Sequence, residues 1–92
     1  MIRQFISQQD WEHAVKAAGF QVHRPPAMGP PGLDPEDLVN DAYRPLLATV
    51  GQPNGLLSNV VGVWWPARPD GRAAHGVLAD TPAEYDAWQR MD

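Results

Sequence analysis

The chain contains no cysteine. This excludes disulfide bridges and thiolate metal sites together. Small secreted domains ordinarily depend on such cross-links, so their absence predicts a cytoplasmic protein held by its core alone. Lysine is nearly absent as well: Lys16 is the single one, and the formal net charge is −4. The charge is unevenly spread. Residues 1–33 set Arg3, Lys16 and Arg24 against Asp10 and Glu12, a balance of +1, whereas residues 34–92 set four arginines against nine carboxylates, a balance of −5. A protein that grips nucleic acid directly carries a basic stripe. This chain lacks one, and its balance suits contact with a basic protein surface.

Long apolar runs are missing too. No segment approaches the about 20 residues of a membrane span, and the opening MIRQFISQQDWEH has neither the apolar run nor the small-residue cleavage site of a secretory signal. Neither GxGxxG nor GxxxxGK[ST] occurs, so nothing points to nucleotide phosphates. Serine is confined to Ser7 and Ser58, and neither sits in the frame of a catalytic nucleophile. His13, His23 and His75 are the remaining soft metal ligands. No two of them stand at the close spacing that metal sites use, so no metal or other cofactor is expected.

What is present is a 92-residue chain with 43% hydrophobic and 20% charged residues, the balance of a folded single domain. The run Asn59-Val60-Val61-Gly62-Val63-Trp64-Trp65 is its strongest feature. A strand sends successive side chains to opposite faces. Val61, Val63 and Trp65 are therefore expected on one face, with Val60, Gly62 and Trp64 on the other. A strand with one wet face alternates apolar and polar residues. This run does not, so both its faces must be covered, and in so short a chain one cover is expected to come from a second chain.

Local signals place the other elements. Residues 2–6 read as a short strand. Ser7 is an N-cap, with Asp10 three residues on, for a helix over about 8–18 whose apolar stripe is Trp11, Ala14, Val15 and Ala18. Gly19 stands at the left-handed C-cap position, and residues 20–23 alternate as a strand. The Pro/Gly-rich stretch 24–33 reads as an extended loop without PxxP spacing. Asp34-Pro35-Glu36-Asp37 opens a second helix, with Leu38, Val39, Ala42 and Tyr43 as its stripe. Pro45 breaks that helix, and Leu46, Leu47 and Val50 are read as a further short helix. Asn54-Gly55 marks a turn. Arg68-Pro69-Asp70-Gly71 marks another, joining the tryptophan strand to a return strand over 73–79. Thr81, Pro82 and Glu84 begin a last helix over about 82–90 with Tyr85 and Trp88 on one face. The result is an α+β domain with a mostly antiparallel sheet and two to four short helices.

Two clusters carry the functional expectation. Asp34, Asp37 and Asp41 share a helix face beside Glu36, and such an acidic face suits arginines or lysines of a partner. Trp64 and Trp65 are flanked by Arg68 and Arg72 and followed by Tyr85 and Trp88. Tryptophan, tyrosine and arginine are the residues enriched at interface centres. The sequence therefore reads as a non-enzymatic, acidic protein-binding module without a membrane or direct nucleic-acid partner. By size and charge it is comparable to inhibitors, such as those of phages and mobile elements, that dock on nucleic-acid-handling proteins. A subunit of a homodimer or larger homo-oligomer is the alternative. A small-molecule binder or enzyme using His23 or His75 is the third reading.

Overall fold

The computed structural model describes residues 1–24, 44–52 and 59–90. The proline-rich stretch, the acidic helix start with Asp34, Glu36, Asp37 and Asp41, and the Asn54-Gly55 turn lie outside these residues.

Among the described residues the chain runs β1 (Arg3–Phe5), α1 (Gln8–Ala17), β2 (Gln21–His23), β3 (Leu46–Thr49), β4 (Val60–Trp65), β5 (His75–Leu78) and α2 (Pro82–Gln89). The five strands form one antiparallel sheet in the order β1-β5-β4-β3-β2. This is the expected α+β class, with strands contributed from the whole length of the chain and not only from the C-terminal hairpin.

Helix α1 begins and ends where its caps require. Ser7 is extended, and its hydroxyl accepts the Asp10 amide at 3.4 Å. At the other end Gly19, at φ 82°, donates to Lys16 O, and Phe20 donates to Val15 O. These two bonds form a Schellman closure. Trp11 and Val15 are fully buried against one face of the sheet, while Ala18 is the exposed C-cap. The Trp11 indole N–H donates to Val77 O at 2.9 Å, and its ring lies 6.3 Å from that of Trp64. Both rings occupy the space a Cβ on Gly76 would take.

Helix α2 covers the opposite face. Thr81 Oγ1 accepts the Glu84 amide at 3.1 Å, and Glu84 Oε1 accepts the Asp80 amide at 2.9 Å. The two side chains thereby satisfy donors at the helix start reciprocally, with Pro82 placed where no donor is needed. Thr81→Ala is expected to cost about 1 kcal/mol, the usual worth of such a cap. Urea denaturation checks it, and an unchanged midpoint would mean that Pro82 and the packing of Tyr85 start the helix unaided.

Two sequence expectations are corrected. Residues 46–49 form β3, not a helix. Leu46, Leu47 and Val50 fit a helical stripe, but β3 lies between two strands, and Leu47, Ala48 and Thr49 are all buried. A short run buried on both faces gives the same apolar pattern as a helix fragment. The second correction concerns β4. Thr49 pairs with Val60, yet Ala48 pairs with Gly62, so Val61 is an extra residue in β4, a β-bulge. The bulge breaks the strict alternation. Val61 and Trp64 join Trp11, Val15, Ala48 and Leu78 under α1, whereas Val60 and Val63 join Leu47, Val77, Ala79 and Tyr85 on the α2 side, with Trp65 and Trp88 packed against them. Both faces of β4 are thus covered from within the chain, and no second chain is needed to close the tryptophan strand.

Candidate functional site

The α2 side of the sheet is not closed evenly. Toward β1 an open cleft of about 270 Å³ remains, lined by Gln4, Phe5, Ile6, Trp65, His75, Gly76, Val77 and Trp88. Four elements meet there: the end of β1, the end of β4, the start of β5 and the last turns of α2.

The register of the hairpin creates one wall. Trp65 is paired with His75 across β4 and β5, and the two rings stack with centroids 4.8 Å apart at 24°. His75 Nδ1 lies 2.8 Å from Ala73 O. A carbonyl only accepts, so Nδ1 carries a proton, and in the neutral ring Nε2 is left as an acceptor. The other wall is Trp88, whose ring lies 6.0 Å from that of Tyr85. Tyr85 is 4% exposed. Its hydroxyl accepts from Gln89 Nε2 at 3.1 Å, and burial pushes the phenol pKa well above its ordinary value. It remains a neutral prop beneath Trp88. Ile6, 90% exposed, forms the rim.

Along α2, whose last turns border the cleft, the described charge is mostly negative. Asp80, Glu84 and Asp86 stand at the start and along the outer side of α2, with Arg90 paired to Asp86 at 3.0 Å. The Met1 ammonium lies 2.6 Å from both Asp80 and Glu84. Its hydrogen bonds hold both carboxyls below their usual range, and they raise the ammonium in return.

The structure separates the residues picked out from the sequence. Trp64 is 3% exposed and lies on the other face of the sheet, in the core under α1, whereas Tyr85, as deeply placed, supports the cleft from beneath. Trp65 and Trp88 are half-buried and reach the cleft. Arg68 and Arg72 serve the turn between β4 and β5. Arg68 Nε is 3.3 Å from Asp70, and Arg72 donates through Nε and Nη2 to Pro66 O at 3.2 and 2.7 Å. Asp70 Oδ1 accepts the Arg72 amide at 3.3 Å, which completes the turn that the Arg68–Gly71 signal predicts.

Sequence reasoning missed Gln4, Ile6 and the packing of His75. Ile2, Gln4 and Ile6 share the strand period of two, so Ile6 was placeable on the face of Gln4. The His75 stack depends on the length of the 66–74 connection, which sets the pairing and is not a motif.

Chemically, the described lining offers His75, an amide from Gln4, and aromatic and aliphatic walls. It can hold a large apolar or aromatic group and orient it with one or two hydrogen bonds. Among the described residues no set of three or more His, Cys, Asp or Glu side chains gathers where a metal ion would sit. Nor is any described helix long and apolar enough to cross a membrane. Among the described residues His23 Nε2 is buried without a hydrogen-bond partner, but it stands on β2, at the opposite edge of the sheet from this cleft. In comparisons with known proteins, no family model, no curated protein and no solved structure matches the chain.

Proposed function

We propose that this chain is a non-enzymatic protein-binding module whose cleft takes a large apolar or aromatic side chain from a partner with a basic surface. One observation carries the reading: two half-buried tryptophans and the exposed Ile6 reach a concave site, although the core beneath them is already filled by Val63, Val77 and Tyr85. Half-open aromatics around a cavity are the anchoring pattern of interface centres. The partner's charge follows from the net −4 of the chain and from Asp80, Glu84 and Asp86 along α2, since opposite charge speeds encounter and disfavours other partners. Acid–base catalysis by His75 would need a second reacting group, and the lining offers only Gln4 and apolar walls. An inhibitor that covers a basic surface of a nucleic-acid-handling protein is the finer form of this reading, supported by size and charge.

The test is a random-peptide display selection against the immobilised chain. The expected result is enrichment of peptides with one or two large apolar residues flanked by lysine or arginine. Affinity for Trp88→Ala should fall about tenfold or more, as removal of an interface anchor does, while far-UV circular dichroism shows the fold retained. Enrichment of acidic or purely polar peptides, or equal binding by Trp88→Ala, would sink the proposal.

A further inference from the structure

We propose that two copies of this chain pair through the outer edge of β1, antiparallel, about a two-fold axis at Gln4. The proposal rests on the edge of the sheet, not on the cleft's having a partner.

Ala79 N donates to Val61 O at 2.8 Å. In an antiparallel ladder the residues of a strand turn their backbone groups alternately to one neighbour and the other. Val77 and Ala79 therefore face β4, while Gly76 and Leu78 face β1, where their partners are Phe5 and Arg3. Gln4, between those two, turns its N–H and C=O outward. Among the described residues strand β1 ends the sheet, so there this donor and acceptor stand at an open edge, the usual template for adding another strand.

The side chains then single out the occupant. Residues 2–6 read Ile-Arg-Gln-Phe-Ile, and antiparallel pairing about Gln4 sets Ile2 against Ile6 of the second copy, Arg3 against Phe5, and Gln4 against Gln4. The two Arg3 side chains do not face each other. Each guanidinium instead meets a phenyl ring, a contact of the same kind as that within the chain, where Arg3 lies 6.0 Å from the Phe5 ring centre. Ile6, 90% exposed in the single chain, gains an aliphatic neighbour. Charge points the same way. Two copies of net charge −4 repel one another over most of their surface, but residues 1–9 hold no carboxylate and only Arg3 as a charged side chain. This edge is where two acidic chains meet with little repulsion. The clefts of the two copies come to lie side by side on one face of a continuous sheet, so a dimer is bivalent for any partner.

An interface of one short strand pair buries less than the roughly 800 Å² per partner of a stable complex, so the dimer is weak, and mass must be read over a wide concentration range. Light scattering of the wild-type chain should rise from the 10.1 kDa of one copy toward twice that value at several hundred micromolar. Gln4→Pro should hold the mass at one copy with circular dichroism unchanged, because it removes an outward amide that no bond among the described residues uses. The absence of native cysteine permits a second, independent reading. Paired residues at the axis are about 5.5 Å apart between Cα atoms, a separation within the usual span of a disulfide. Mild oxidation should therefore cross-link Gln4→Cys at least tenfold faster than Gln21→Cys, a variant at the opposite edge of the sheet. A one-copy mass throughout, or equal cross-linking of the two cysteine variants, overturns the proposal.

Discussion

Trp11→Ala is expected to lower stability by about 4 kcal/mol, since deletion of a fully buried tryptophan generally costs ~3–5. The effect has two sources. The indole is completely buried and fills the space above Gly76, against the Trp64 ring, so its removal leaves a cavity between α1 and the sheet. Its N–H is also the donor that α1 extends to Val77 O. That carbonyl keeps its place in the β4–β5 ladder but loses its second partner in a dry setting, which adds roughly 1 kcal/mol. A chain of this length has about 5–14 kcal/mol in total at ~0.05–0.15 per residue, and each kcal/mol moves the melting temperature by roughly 4–8 °C. The variant should therefore melt some 16 °C or more lower. Trp11→Phe separates the two sources: it retains most of the volume and forfeits the hydrogen bond, for a loss of about 2 kcal/mol. Urea denaturation followed by circular dichroism measures both. If Trp11→Ala costs less than 2 kcal/mol, α1 is not held to the sheet in the way described.

The helix that carries Trp11 was legible almost to the residue, because its determinants are local. Ser7 must accept an amide from the first turn, and Gly19 must adopt a positive φ, and each acts within five residues of itself. The same holds for Thr81 and Glu84 at the start of α2, and for Arg68–Gly71. Strand β4 was legible for a different reason: an unbroken apolar run states that both faces are covered, whatever covers them. The source of the cover was not legible, since α1 and α2 approach β4 from opposite ends of the sequence. Strand β3 illustrates the limit of periodicity. Three of its four residues are buried between two strands, the polar Thr49 among them, so no exposed polar position reveals a period of two, and Pro45 is as good a stop for a preceding helix as a start for a strand. The cleft was half legible. Trp65 and Trp88 announce themselves by type, but Gln4 and Ile6 join them only because β1 pairs with β5, a contact between residues more than 70 positions apart. Trp64 and Tyr85 show the converse, that residue type alone does not distinguish an anchor from a core residue.

The bulge in β4 leads to the second large effect, an expected loss of about 3 kcal/mol for Gly62→Ala, at the upper end of what overpacking costs. With Val61 inserted, β4 twists locally, and Gly62 is left facing the neighbouring strand at close range. A Cβ there would collide with the carbonyl oxygen of Val77 and stand 3.2 Å from Leu78 Cα and Cδ1. Two of these three obstacles are backbone. A flexible side chain could swing aside at little cost, but β5 can yield only by moving away from β4 at the centre of the sheet. That movement would stretch the bond from Ala79 N to Val61 O and disturb the pairing of Val63 with Val77. It would also pull Val77 away from the Trp11 indole. The damage should extend along the hairpin to Trp65 and His75, three residues further on, whose stack depends on the same register. Gly62→Ala is thus expected to lower the urea midpoint and, in the fraction that still folds, to weaken peptide binding at the cleft. A variant within 1 kcal/mol of the parent chain would show that β4 and β5 have slack at their closest approach, and the bulge would then not be the reason for glycine at this position.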